Sequence, residues 1–290
     1  MSGGQAPLPV FILGLGLIGG SLALALSADE RYRVTGAARN PDTIRAAQAA
    51  GVAAVSAVEA EGAGMYAALE QAELVVLAVP PEGAFSFLEE HAAHLRPGAV
   101  VTDVCGVKAA VVARCRPLCR QAGAVFVGGH PMAGKEISGF AAAEAGLFQG
   151  ASYILTPEPD TPPSAVAMLE QMAADVGCAR VTVTTPAHHD EMIAFTSQLP
   201  HVLAGAYVKS PRCPEHRGYS AGSYRDVSRV ASVDEELWSE LFLLNRDNLC
   251  GEIDTLIGHL QECRDAVASG GRDRLRRVLR EGREIKQREG

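Results

Sequence analysis

Pro9-Val10-Phe11-Ile12-Leu13-Gly14-Leu15-Gly16-Leu17-Ile18-Gly19 is the stretch whose reading decides the fold. Pro9 to Leu13 is a short apolar run of buried-strand character. It leads into Gly-x-Gly-x-x-Gly, and Leu17 to Ser27 continues as a helix. A strand, a glycine turn and a helix in that order form a dinucleotide-binding unit. Gly14 permits the tight turn, Gly16 lets the backbone approach a pyrophosphate, and Gly19 lets helix pack on strand. The free N–H groups of Leu17, Ile18 and Gly19 then face the phosphates with the positive end of the helix dipole.

Outward from this turn, short apolar runs keep alternating with helical stretches. Val34 to Ala38 reads as a strand and Pro41 to Ala50 as a helix, with Gly51 as its stop. Leu74 to Val79 is the clearest strand, followed after Pro80-Pro81 by a helix to about Leu95. Residues 99–102 and 124–127 are strands around a helix near 107–121. Residues 153–155 and 181–183 flank a helix near 163–176. Near-continuous apolar strands alternating with helices predict a parallel sheet covered on both faces.

After Pro186 the strand signals stop. His188 to Lys209, Glu235 to Cys263 and Arg272 to Lys286 read as helices, with a Pro/Gly/Ser-rich loop over 210–223. The expected organisation is an α/β Rossmann-type dinucleotide-binding domain over 1–185, then an all-α domain over 186–290. The tail from Arg272 carries eight basic and four acidic residues and reads as a solvated amphipathic helix.

Composition agrees with a folded chain of 290 residues. Apolar residues are 48%, charged residues 21% and aromatics only 5%, so small and branched aliphatics must build the core. A net charge of −8 argues against a nucleic-acid partner. Four glycines break the apolar run from Pro9 to Leu26, which makes it a poor membrane span. Seven scattered cysteines without a Cys-x-x-Cys read as free thiols in a reducing cytoplasm. His188 and His189 beside Asp190 do not make a metal site, because adjacent helical residues point apart. His91 and His94 on an acidic helix read as solvated.

The cofactor is read at the end of the second strand. An NAD enzyme usually places Asp or Glu there to hold the ribose hydroxyls. Here Ala38 occupies that position and Arg39 follows it. Loss of the carboxylate removes repulsion against a 2′-phosphate, and Arg39 can pair with one. The balance falls to NADP and leaves NAD open, since an arginine also stacks on adenine or simply meets solvent.

Three segments carry candidate chemistry. Gly128-Gly129-His130-Pro131-Met132-Ala133-Gly134 puts a histidine just past a strand, on the edge where doubly wound sheets bind ligands. His189-Asp190 and Ser197-Gln198-Leu199-Pro200-His201 open the helical half. Gly222-Ser223-Tyr224-Arg225-Asp226-Val227-Ser228-Arg229 offers two arginines. A neutral imidazole at His130 suits the deprotonation of an alcohol near neutral pH. Arg229 suits a bidentate grip on a carboxylate.

Taken in order, these motifs resemble the prephenate/arogenate dehydrogenase family of tyrosine biosynthesis over about residues 9–250. Further markers are Ala78-Val79-Pro80, Asp103 with Val107-Lys108, Trp238 and Asn245-Arg246. The resemblance implies oxidative decarboxylation of a cyclohexadienyl dicarboxylate, with hydride passing to NAD(P), and a homodimer built through the helical domain. It implies that His130 is catalytic, that His201 meets the substrate side chain, and that Arg229 holds a carboxylate. Gly134, Gly222 and Gln198 would line the substrate pocket. Gly14, Gly16, Leu17, Ile18, Gly19, Arg39, Val79, Pro80, Asp103 and Lys108 would face the cofactor. Lys108 is read either beside the nicotinamide or as solvating a helix N-terminus.

Two positions depart from the family pattern. Gly106 stands where serine usually precedes Val-Lys, and Gln198 replaces a common histidine. No room remains at the chain's end for an appended regulatory domain. Competing expectations are a β-hydroxyacid or imine dehydrogenase of similar architecture, and a non-catalytic dinucleotide sensor.

Overall fold

The computed structural model describes residues 6–58, 63–135 and 137–289. Eight strands among them form one sheet. They are β1 (Leu8–Leu13), β2 (Tyr32–Ala38), β3 (Ala53–Ser56), β4 (Leu74–Leu77), β5 (Val100–Asp103), β6 (Val125–Pro131), β7 (Ser152–Thr156) and β8 (Arg180–Val183). Their spatial order is 3-2-1-4-5-6-7-8. The strands from β1 to β6 pair in parallel. β7 runs antiparallel to β6, and β8 is parallel to β7. The sheet is therefore mixed, not wholly parallel, and the reversal falls at the strand that carries His130.

Helices α1 (Leu17–Ser27), α2 (Pro41–Ala49), α3 (Ala63–Gln71), α4 (Pro81–His91), α5 (Ala109–Gln121) and α6 (Pro163–Asp175) connect these strands. The two faces bury separate apolar clusters. Phe11, Leu69, Val75, Leu77, Phe85 and Val101 belong to one, and Ile12, Leu22, Val76, Phe148, Tyr153 and Leu169 to the other. Strands with both neighbours inside the sheet read as unbroken apolar runs for this reason. β3 and α3, rich in alanine and weak in periodicity, escaped the sequence reading.

Beyond β8 the structure is helical: α7 (Pro186–Ile193), α8 (Leu199–Val208), α9 (Gly222–Ser228), α10 (Glu235–Leu244), α11 (Arg246–Ala268) and α12 (Arg272–Glu289). The helix expected over 188–209 is interrupted by a π-turn at Ala194–Gln198. Pro200 follows it directly and cannot donate to the preceding turn. The helix expected over 235–263 is also two. They part at Asn245, whose side chain leaves solvent to donate to Asp190 O at 2.9 Å and Gln198 Oε1 at 2.8 Å. His91 is not solvated as expected: it is 7% exposed and sits edge-on to Phe87 at 5.0 Å.

α10 lies against the sheet domain. Leu241 is buried in the cluster around Phe85 and Val101, with Leu237 and Leu244 packed beside it. Glu240 accepts from the Glu82 N–H at 2.6 Å and so caps the start of α4. Replacing Leu241 with Ala should lower stability by about 2–4 kcal/mol, as expected for a core Leu whose cavity collapses only in part. A denaturation midpoint equal to that of the parent chain would show that α10 does not depend on this contact.

Candidate active site

The glycine turn has the geometry that its sequence requires. Gly14 holds φ +89°, and a Cβ there would lie 2.3 Å from Ala78 O and 2.7 Å from Val79 Cγ1. At Gly19 a Cβ would lie 1.9 Å from Gly14 O, so helix and turn touch backbone to backbone. Gly16, the N-cap of α1, faces open space within 4 Å. No acidic residue occupies the first turn of α1, whose dipole and N–H groups of Leu17, Ile18 and Gly19 meet that space. Val79 and Pro80 form the adjoining wall after β4. Ala38 is buried at the end of β2, and Arg39 is exposed beside it. A dinucleotide pyrophosphate fits this arrangement, because the open position is the glycine that phosphate must approach.

His130 lies within β6, not past its end, because pairing with β7 extends the strand through Pro131. Its Nδ1 is 2.9 Å from His189 Nε2, and His189 Nδ1 is 2.7 Å from Asp190 Oδ1. The Asp190 carboxylate also accepts the backbone N–H groups of Lys108 at 2.7 Å and Ala109 at 2.8 Å, at the mouth of α5. An ionised carboxylate only accepts, so His189 donates to it from Nδ1. His189 Nε2 is then a lone pair that accepts from His130 Nδ1. The free lone pair of His130 is consequently on Nε2. Burial pushes the His130 imidazolium well below the ordinary value of 6.5, helped by His189 and the Lys108 charge. Burial also lowers His189, against the opposing hydrogen bond from Asp190. Both rings are thus neutral at neutral pH.

Asp103 and Lys108 are not cofactor contacts. Both side chains are wholly buried and form an ion pair with each other. Lys108 therefore neither reaches the nicotinamide nor solvates a helix end. Gln198 is also withdrawn from the substrate: its Nε2 donates to Leu241 O at 3.3 Å and its Oε1 accepts from Asn245. Gly106 has room for a larger residue, since a Cβ would meet only Leu241 methyls at 3.5 and 3.7 Å.

The structure places His201 against the turn that carries Arg229. His201 Nδ1 donates to Val230 O at 2.7 Å, and its ring lies 3.8 Å from that of Trp238. Arg229 is the residue before Val230, in a short 3₁₀ turn after α9. Gly134 faces open space in the loop after β6, and Gly222 is the first residue of α9. The sequence reading placed His189-Asp190 in a segment of candidate chemistry without giving either residue a role, and named Asn245 only as a family marker. The available signals were a carboxylate at a helix start and a polar residue interrupting an apolar helix.

A Rossmann sheet that carries a dinucleotide turn and a partly buried neutral histidine, completed by a helical partner, defines a nicotinamide-dependent oxidoreductase. Family models of the prephenate dehydrogenase nucleotide-binding domain and of its dimerization domain match residues 22–183 and 185–281. The chain belongs to the prephenate dehydrogenase family. It is 34% identical to cyclohexadienyl dehydrogenase of Zymomonas mobilis over 226 residues, 76% of either chain. It is 30% identical to prephenate dehydrogenase of Bacillus subtilis over 287 residues, 96% of this chain and 75% of the relative. The crystal structure of Aquifex aeolicus prephenate dehydrogenase with hydroxyphenyl propionate and NAD+ superposes with a TM-score of 0.85 at 27% identity. That match covers 98% of this chain and 99% of the other.

The two glycines should respond differently to alanine. Gly16→Ala has room for its methyl and should keep its melting temperature, yet lose dinucleotide affinity about tenfold or more as the methyl meets the pyrophosphate. Gly14→Ala should destabilise the fold through its backbone clash. Equal affinities of the Gly16 variant and the parent chain, by calorimetric titration, would remove the pyrophosphate from this turn.

Proposed function

We propose that the chain is a prephenate or arogenate dehydrogenase, which oxidatively decarboxylates a cyclohexadienyl dicarboxylate and passes hydride to NAD(P) in tyrosine biosynthesis. Family membership supports the reaction. The observation that carries the chemistry is the His130 Nε2 lone pair, exposed by the ordered chain through His189 to Asp190. The bound nicotinamide would supply the hydride acceptor. His130 takes the proton of the carbinol hydroxyl as hydride leaves the same carbon. Loss of the ring carboxylate as carbon dioxide then sends its electron pair through the ring to the former hydroxyl oxygen, and the phenolate so formed takes the proton back from His130 to give the phenol. Aromatisation makes the overall step strongly favourable, so the protein's task is to orient the substrate and accept a proton.

Arg229 grips a substrate carboxylate as a guanidinium fork, and His201, fixed by Val230 and Trp238, meets the substrate side chain. Gly134 and Gly222 leave room for the ring. Arg39 takes the 2′-phosphate of NADP, in keeping with Ala38 at the carboxylate position. The helical half forms a homodimer. Exposed Leu243, Ile257, Leu260, Val267 and Leu279 on α10 to α12 support this. Seven free cysteines fit a reducing cytoplasm. No described helix is long and apolar enough to cross a membrane.

Initial rates with prephenate and arogenate, each with NAD and NADP, test the reading. Turnover of at least one substrate, faster with NADP, is expected; no turnover in any of the four combinations would reject it. His130→Asn should cut kcat by about 10²-fold or more while leaving dinucleotide affinity within about threefold.

The pH profile follows from the sign of the His130 shift. Only neutral His130 accepts a proton, and its conjugate acid lies well below 6.5. Activity should therefore be lost only as pH falls through that depressed value. The acidic limb of kcat/KM should lie below 6.5, with a plateau through neutrality. A limb centred above 6.5 would contradict the assignment.

A further inference from the structure

The Asp103–Lys108 ion pair is wholly buried, and Lys108 is among the largest fully buried side chains. Stability offers no reason for it. Two buried ions lose their hydration, and an apolar pair of the same volume is often as stable or more so. Its surroundings offer a different reason. The β5–β6 ladder ends where Thr102 faces Val127. Beyond that point β6 continues to His130 without a backbone partner on the β5 side. Side chains take the place of the missing strand. Asp103 Oδ1 accepts the Gly129 N–H at 3.2 Å, and Lys108 Nζ donates to Gly129 O at 2.7 Å. That carbonyl belongs to the peptide joining Gly129 to His130. Asp103 is itself held by the Cys105 N–H at 2.9 Å. Glycine is needed at 129 for this approach, since a Cβ would lie 2.7 Å from Asp103 O and Thr102 Oγ1.

The same lysine holds the other end of the histidine chain. Its backbone N–H donates to Asp190 Oδ1, the oxygen that accepts from His189. We propose that Lys108 is a positioning residue for His130: its side chain and Asp103 lock the peptide that carries the imidazole, while its backbone N–H anchors the carboxylate that orients the imidazole through His189. This rests on His130 being the base. The ionisable groups around His130 are His189 and Asp190 on α7, Lys108 ahead of α5, Asp103 on β5 and Tyr153 on β7. Of these, the Lys108 charge adds to burial in holding the imidazole neutral.

The test compares three variants of the full chain. Lys108→Met alone would strand the Asp103 charge and endanger folding, so the informative change is the neutral double replacement Asp103→Asn with Lys108→Met. It leaves neither member of the pair as an unpaired ion and keeps both side-chain volumes close to their original size. Its kcat should fall about tenfold or more, with KM and dinucleotide affinity within about threefold, because geometry at the base is lost and binding is not. With the lysine charge gone, the acidic limb of kcat/KM should move to higher pH. Asp103→Asn alone leaves that charge uncompensated and should move the limb to lower pH. Opposite shifts would not arise from a merely structural pair. A kcat within threefold of the parent chain and an unmoved limb, in either folded variant, would overturn the proposal. His130→Asn is the control. If it retained activity, the base assignment itself would fall; if it were inactive beside a fully active double variant, only the role of Lys108 would.

Discussion

The carboxylate of Asp190 is the point on which the site depends. It sits on α7, the first helix after the sheet, yet its oxygens accept the Lys108 and Ala109 N–H groups at the mouth of α5. A carboxylate at a helix N-terminus is stabilised by unsatisfied amides and by the helix dipole. The same group receives His189 Nδ1. One ion therefore docks the helical half on the sheet, chooses the tautomer of His189 and, through it, that of His130. Glu240 repeats the docking device at the start of α4. Two anions of the helical half thus cap two helices of the sheet half. The chain from His130 to Asp190 is complete only where the two halves meet.

This arrangement explains how a partly buried histidine stays neutral and presents a lone pair, as the proposed base must. Burial alone disfavours the imidazolium, but it leaves the tautomer undetermined. The donor–acceptor sequence from Asp190 through His189 removes that freedom and directs a lone pair to Nε2. Asn245 and Gln198 hold the backbone of the helix that carries this carboxylate. Asn245 donates both to the Asp190 carbonyl and to Gln198, and Gln198 donates to Leu241 O. The glutamine amide bridges an acceptor and a donor simultaneously, which a neutral imidazole also does but over a different reach. Its presence is accounted for by this bridge without any contact to substrate.

Much of the fold was legible because its determinants are local. The run from Pro9 to Gly19 encodes strand, turn and helix in consecutive residues, and α1 has the bounds read from the sequence. Alternating apolar strands and helices likewise specify a covered sheet. What escaped depends on partners distant in sequence. The antiparallel β7 follows from tertiary pairing with β6, and the break at Asn245 follows from Asp190 and Gln198. Asp103 and Lys108 are the clearest case. The family resemblance placed both beside the cofactor, and only the fold shows that each is the other's partner. His130 was legible as chemistry from its neighbours in the chain, whereas its tautomer required two residues nearly sixty positions away.

The overall charge also acquires a local meaning. With the dicarboxylate substrate proposed, a protein of net charge −8 has to keep its own carboxylates from facing that substrate. At this site the anions are directed elsewhere. Asp190 and Glu240 are turned to helix N-termini, and Asp103 is neutralised by Lys108. Negative charge thus does structural duty on the inner side of the site, while the start of α1, with no acidic residue in its first turn, offers a positive end. Because the field of a buried, paired anion is short-ranged, local pairing decides what the cleft attracts, and the sign of the whole chain does not.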